Sequence, residues 1–133
     1  MTAETTLLAG LRRTLEDRHD VRLALLFGSR ARGRARPGSD ADLAVEAEGV
    51  DLIRLACELS DATGTEVEVV DLKEASYPLL KAVVRDGVVV HEAEPGAAAR
   101  WRSRAIAQLE TDRPWFERMR DAYLARLAGE VDG

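Results

Sequence analysis

The stretch SDADLAV, residues 39–45, sets Asp40 and Asp42 one residue apart at the mouth of an apolar run. Strands disfavour aspartate, so the pair asks for a reason. Side chains alternate along a strand. Asp40, Asp42, Ala44 and Glu46 therefore share one face, while Ala41, Leu43 and Val45 share the other and can pack against a helix. The two carboxylates stand about 7 Å apart along such a strand, close enough to repel unless a cation lies between them. Mg²⁺ prefers oxygen ligands, usually one or two carboxylates plus substrate phosphates. A metal site facing a phosphorylated substrate accounts for the pair better than two solvated turn acids after Pro37-Gly38.

The residues upstream point the same way. Gly28-Ser29 directly follows the apolar run VRLALLF and can open a short helix. A glycine lets backbone approach a ligand closely, and the N–H groups at a helix start attract phosphate. The Ser29 hydroxyl adds a hydrogen bond, and Arg30 or Arg32 adds charge. Arg34 and Arg36, further along, suit a solvated loop. Acids for a metal and donors for phosphates, one connection apart, suit nucleotidyl transfer. A third acid would complete the constellation by binding a second metal or taking the proton from an attacking hydroxyl. The next strand, EVEVVDL, offers Glu66 and Glu68 on one face and Asp71 on the other, and periodicity does not choose among them. Two other catalytic loops fit poorly. Phe27-Gly28-Ser29-Arg30 is not a Gly-x-Ser-x-Gly elbow, and Gly33 is followed by arginine and alanine rather than Lys-Ser/Thr.

These residues need a frame. Leu7, Leu8, Leu11 and Leu15 predict an amphipathic helix over 5–18. Strands follow at 21–27 and 40–45, then a helix over 51–63 stopped by Gly64. A strand at 66–72, a helix over 76–85 with Pro78 in its first turn and a short strand at 88–91 complete an α/β core with a small mixed sheet. A composition shift at Glu94 to Gly96 reads as a linker. It divides a nucleotidyl-transfer core, residues 1–94, from a C-terminal helical extension, residues 95–133. Within the extension the spacing predicts two helices, 97–110 and 115–127, broken at Thr111-Asp112-Arg113-Pro114. Trp115, Met119, Tyr123 and Leu127 recur every fourth residue and share one helical face. Trp101, Trp115 and Tyr123 are expected to pack the tail onto the core or onto each other; a partner-binding face is the alternative. His19 and His91 lack metal-ligand spacing and suit surface or capping roles.

Bulk properties narrow the classes. The 133 residues suit one compact domain with a helical addition, and 46% hydrophobic content suffices for a core. A net charge of −5 argues against a general nucleic-acid coat. No apolar run approaches the roughly 20 residues of a membrane span, and the N-terminus lacks a secretion signal, so a soluble cytoplasmic protein is expected. Cys57, the single cysteine, lies among Leu52, Leu55, Ala56 and Leu59 and reads as an inert core thiol in a reducing compartment.

The wording GSRARGRARPGSDADLAV resembles the DNA polymerase β-like nucleotidyltransferase superfamily. In particular it is similar to the minimal nucleotidyltransferases paired with HEPN-domain toxins in type VII toxin–antitoxin systems. The family hallmark of Gly-Ser and two aspartates falls on Gly28, Ser29, Asp40 and Asp42. The family's acid-x-x-Asp-Leu pattern in the third strand places its first acid on Glu68. Aspartate is commoner there, and some relatives, such as aminoglycoside nucleotidyltransferases, carry glutamate. The tail RWRSRAIAQLETDRPWFERMRDAYLARL also looks like the tails of these antitoxins. The resemblance implies ATP as substrate, two Mg²⁺ held by Asp40, Asp42 and Glu68, and phosphates held by Gly28, Ser29, Arg30 and Arg32. It implies a hetero-oligomer with a HEPN toxin, whose tyrosine hydroxyl receives AMP and which is silenced by it. The alternatives are a non-catalytic antidote that blocks the toxin by contact, and transfer to a small acceptor such as an aminoglycoside. Only about 38 residues follow the linker, which favours an acceptor that brings its own surface.

Overall fold

The structure is a computed structural model, and it describes residues 3–28, 31 and 40–132. Ser29, Arg30 and Arg32, expected at the phosphates, and the loop residues Arg34 and Arg36 lie outside the described residues, as does the helix expected to start at Ser29.

The chain runs α1 (Ala3–Leu15), β1 (Val21–Phe27), β2 (Ala41–Ala47), α2 (Leu52–Thr63), β3 (Val67–Asp71), a 3-10 turn (Leu72–Glu74), α3 (Tyr77–Asp86), β4 (Val88–Glu92) and α4 (Ala97–Asp132). The strands form one sheet in the order β3-β2-β1-β4. Strand β1 is antiparallel to both β2 and β4, and β2 is parallel to β3. This is the small mixed sheet that the alternation of strand and helix implies.

Helices cover both sheet faces, which explains why β1 is nearly apolar throughout. On one face Leu7, Leu11 and Leu15 of α1 and Leu55 and Leu59 of α2 meet Ala41, Leu43 and Val45. On the other, Leu80 and Val83 of α3 and Trp101 and Ala105 of α4 meet Leu23, Leu25 and Ala44. The helix boundaries follow local chemistry. Asp51 accepts from the backbone N–H groups of Ile53 and Arg54, at 3.1 and 3.2 Å, and Gly64 ends α2 with φ 70°. Ser76 caps α3, with Pro78 in its first turn.

Three expectations are corrected. The extension is one helix of 36 residues, not two, about 54 Å long. Proline inside a helix removes one hydrogen bond and costs about 3 kcal/mol, but here neighbours hold the turn. Phe116, two residues past Pro114, stacks on Tyr77 of α3 with ring centroids 4.3 Å apart, a tertiary contact that anchors the helix just beyond the proline. Second, Trp101 does pack into the core, but Trp115 and Tyr123 are 58% and 53% exposed. The contacts of α4 with the sheet end before the helix does, so the stripe of Trp115, Met119, Tyr123 and Leu127 runs on unburied. Third, Cys57 is exposed. The buried stripe of α2 is Leu55 and Leu59, and a residue midway between two positions four apart points away from both.

No described helix is long and apolar enough to cross a membrane.

Candidate active site

Strand pairing builds the site. In the β1–β2 ladder Phe27 lies opposite Asp42, so the residue that follows Phe27 turns beside that aspartate. Gly28 has φ +78°, a conformation that side-chain-bearing residues rarely adopt. A β-carbon there would also stand 2.7 Å from Asp42 Oδ2, which is inside van der Waals contact. Two independent constraints therefore demand glycine: the turn itself and the carboxylate pressed against it. The sequence reading assigned Gly28 to phosphate approach and missed the contact with Asp42. The signal lay in the antiparallel register, which a lone sequence does not fix.

In the parallel β2–β3 ladder Asp42 is the register partner of Glu68. Laterally paired residues point to the same face, so the two carboxyls converge. Burial raises the Asp42 carboxyl above its ordinary range; the charges of Glu68 and Asp40 and a hydrogen bond with Glu68 add to the rise. Asp42 is half-buried, while Asp40 and Glu68 are exposed. The three acids thus line an open mouth at the start of β2 and β3. Among the described residues no basic side chain forms an ion pair with any of them.

The other acids of EVEVVDL sit elsewhere. Glu66 precedes β3, is exposed, and offers its backbone carbonyl to the Ala41 N–H at 2.9 Å; it is not among the groups acting on Asp42. Asp71 lies at the far end of β3, where its carboxylate accepts from the Lys73 N–H at 2.9 Å and caps the 3-10 turn. The Nε2 of His91 lies 3.0 Å from the Val21 carbonyl, a structural contact.

The donor set suits a particular kind of metal site. No three described His, Cys, Asp or Glu side chains gather into a cage for an ion. Mg²⁺ does not need one, since it commonly takes one or two carboxylates and completes its shell with substrate phosphates and water. Converging oxygens, one of them pushed toward protonation by its neighbours, fit a divalent cation that arrives with a polyphosphate.

Comparisons with known proteins give the family. The family model described as polymerase beta, nucleotidyltransferase matches residues 10–95. A candidate protein adenylyltransferase of Methanocaldococcus jannaschii is 43% identical over 68 residues, spanning 48% of this chain and 72% of that one. Among solved structures, a chain of a toxin–antitoxin crystallised with AMP-PNP superposes with a TM-score of 0.75 at 25% identity, covering 88% of this chain and 98% of that one. A chain from the complex of tri-AMPylated Shewanella oneidensis HEPN toxin with MNT antitoxin shares the fold, with a TM-score of 0.65 at 24% identity over 92% of this chain and 96% of that one. With the match running through both acid-bearing strands and the Gly28 turn, the chain belongs to the polymerase β nucleotidyltransferase family.

Proposed function

We propose that this protein is a Mg²⁺-dependent protein adenylyltransferase that moves AMP from ATP to a tyrosine hydroxyl of a HEPN-domain toxin and so acts as its antitoxin. The observation that carries the reading is the Asp42 carboxyl, held against Gly28 and beside Glu68 and Asp40. Like charges converge there at an open mouth, an arrangement with no structural benefit and a clear use in polyphosphate chemistry. The relatives supply the reaction class and the kind of partner.

Asp40 and Asp42 would hold Mg²⁺, with Glu68 beside them. Bound there, the ion supplies positive charge to the triphosphate and to the developing charge on the departing pyrophosphate. Gly28 keeps the turn free of side-chain bulk so that the chain can approach the phosphates. Ser29, Arg30 and Arg32 follow immediately, with one hydroxyl and two guanidinium groups for the β- and γ-phosphate oxygens. Glu68, an exposed acid in register with Asp42, accepts the proton of the incoming hydroxyl. The hydroxyl oxygen forms a bond to the α-phosphorus, the bond from that phosphorus to the bridging oxygen breaks, and pyrophosphate leaves with the electron pair.

The competing reading is an antidote that works by contact alone. The exposed stripe on α4 favours some partner, because exposed apolar patches of this kind mark interaction sites, and both readings use it. Incubation with ATP, Mg²⁺ and a HEPN-domain toxin separates them. Mass spectrometry should show the partner heavier by one or more AMP units. Neutralisation of the toxin with no mass gain would establish the binder instead.

A further inference from the structure

Strand β3 is an edge of the sheet, and among the described residues no strand pairs with its outer side. The bond from the Ala41 N–H to the Glu66 carbonyl fixes the alternation of the parallel ladder. Residues 66, 68 and 70 turn their backbone groups toward β2, and residues 67 and 69 turn theirs outward. One outward group is already used: the Val67 N–H donates to Ser60 Oγ at 2.9 Å. The Val67 carbonyl and both backbone groups of Val69 remain available along the edge.

A groove of about 600 Å³ runs between this edge and α2, lined among others by Ile53, Ala56, Cys57, Val69 and Glu68. Ile53 is 80% exposed, an unusual waste of a large aliphatic side chain. Among the described residues the charged groups lining the groove are Asp61, Glu66 and Glu68, with no basic side chain. Glu68 belongs both to the groove and to the acid cluster.

We infer that the β3 edge and the α2 groove form the docking site for the acceptor, which binds as an extended polypeptide segment adding a strand beside β3. This rests on the adenylyltransferase reading above and names how its protein substrate is held. An edge strand with unpaired backbone groups is a template for such addition. Main-chain bonds to Val67 and Val69 align the segment, and Ile53 and Ala56 take an apolar side chain adjacent in sequence to the reacting one, because the α2 groove and the acid cluster lie on opposite faces of the sheet and strand side chains alternate. The acidic lining selects a segment with arginine or lysine near its target hydroxyl. Because Glu68 starts the same edge, a segment in register delivers that hydroxyl to the proton acceptor.

The test uses the full chain, ATP with Mg²⁺, and a HEPN-domain protein that the chain adenylylates as acceptor. Ile53→Asp is placed on an exposed position and leaves the core intact; it should raise the KM for the acceptor at least tenfold while AMP-PNP affinity stays unchanged. Val69→Pro removes one outward N–H and no ladder bond, a substitution that edge strands tolerate, and it should act in the same direction. Cys57, the only thiol, reports independently: bound acceptor should slow its alkylation by a maleimide several-fold. Unchanged KM in Ile53→Asp, together with full Cys57 reactivity in the complex, overturns the docking site and leaves the adenylyltransferase reading standing. Absence of AMP transfer by the wild-type chain overturns that reading, and the docking inference with it.

Discussion

Carboxylates at the two ends of β1 are treated in opposite ways. At its start, Arg18 Nε donates to Asp20 Oδ1 at 3.0 Å, and Arg18 Nη1 donates to Glu58 Oε2 at 2.8 Å. The hydrogen bond from Arg18 holds the Asp20 carboxyl below its ordinary range. At its far end, burial and two neighbouring acids push the Asp42 carboxyl up. In the first cluster both acids share the Arg18 guanidinium, and the pairing serves the turn between α1 and β1. The second is left unneutralised among the described residues, and its charge is available to something that binds. A protein that keeps such a cluster pays in stability for function.

The sharpest way to break this contrast is Asp42→Asn, which keeps the shape and removes the charge. AMP transfer should fall by about 10²–10³-fold, the usual scale for losing one electrostatic group at a reacting centre, with partner binding retained in a pull-down. Equal transfer by the variant and the wild type would remove Asp42 from the chemistry. No comparable loss should follow Asp20→Asn.

Gly28→Ala comes next. It combines a left-handed backbone with a clash against Asp42 Oδ2, and strain of this kind costs on the order of 1–3 kcal/mol. A fall in Tm of roughly 5–15 °C is expected for a domain of this size. Adding Asp42→Ala should recover part of that fall, because one half of the strain is the contact itself. Strict additivity of the two substitutions would show that the backbone conformation alone sets the requirement.

The pH dependence should differ in sign between the two ends. Asp42 has a folded pKa above its unfolded value, so its penalty is absent below about pH 3.8 and complete above the folded pKa. Asp42→Asn should therefore raise Tm by a few degrees at pH 7, with the gain vanishing toward pH 4. Asp20 has a folded pKa below 3.8, so its stabilisation is present above that value and lost as pH falls through the folded pKa. Asp20→Asn should lower Tm at pH 7 and change nothing under strong acid. Thermal scans of the three proteins across pH 2–8 read both effects. AMP-PNP with Mg²⁺ should raise the wild-type Tm more than that of Asp42→Asn.

The smallest effect belongs to Arg18→Gln. Its partners Asp20 and Glu58 have side chains 45% and 47% exposed, and exposed pairs contribute about 0–1 kcal/mol. A Tm change beyond a few degrees would mean that this cluster is more than a surface pairing.

Local chemistry made much of the architecture legible. The apolar run of β1, the Asp51 and Gly64 caps of α2, and Ser76 with Pro78 at α3 each carry their instructions within a few residues. Asp40 and Asp42 were legible as a pair for the same reason, since strand alternation places both acids on one face. Cys57 was misread because composition around it was apolar, whereas burial depends on which side of α2 it occupies. Pro114 was read as a break because proline opposes helix locally; the stack of Phe116 on Tyr77 comes from 39 residues away in the chain and is invisible to any short window.

By itself the sequence determined the elements of the core, the mixed α/β class and the pairing of the two aspartates, because caps, turns and alternation are short-range physics. Only the tertiary structure shows why Gly28 is glycine and that Glu68, the acid the family resemblance implied, lies beside Asp42. Both answers depend on register between strands: Glu68 meets Asp42 across β2–β3, and Gly28 follows the residue opposite Asp42 across β1–β2. Register is fixed when whole faces are buried against helices, and that burial involves every element at once.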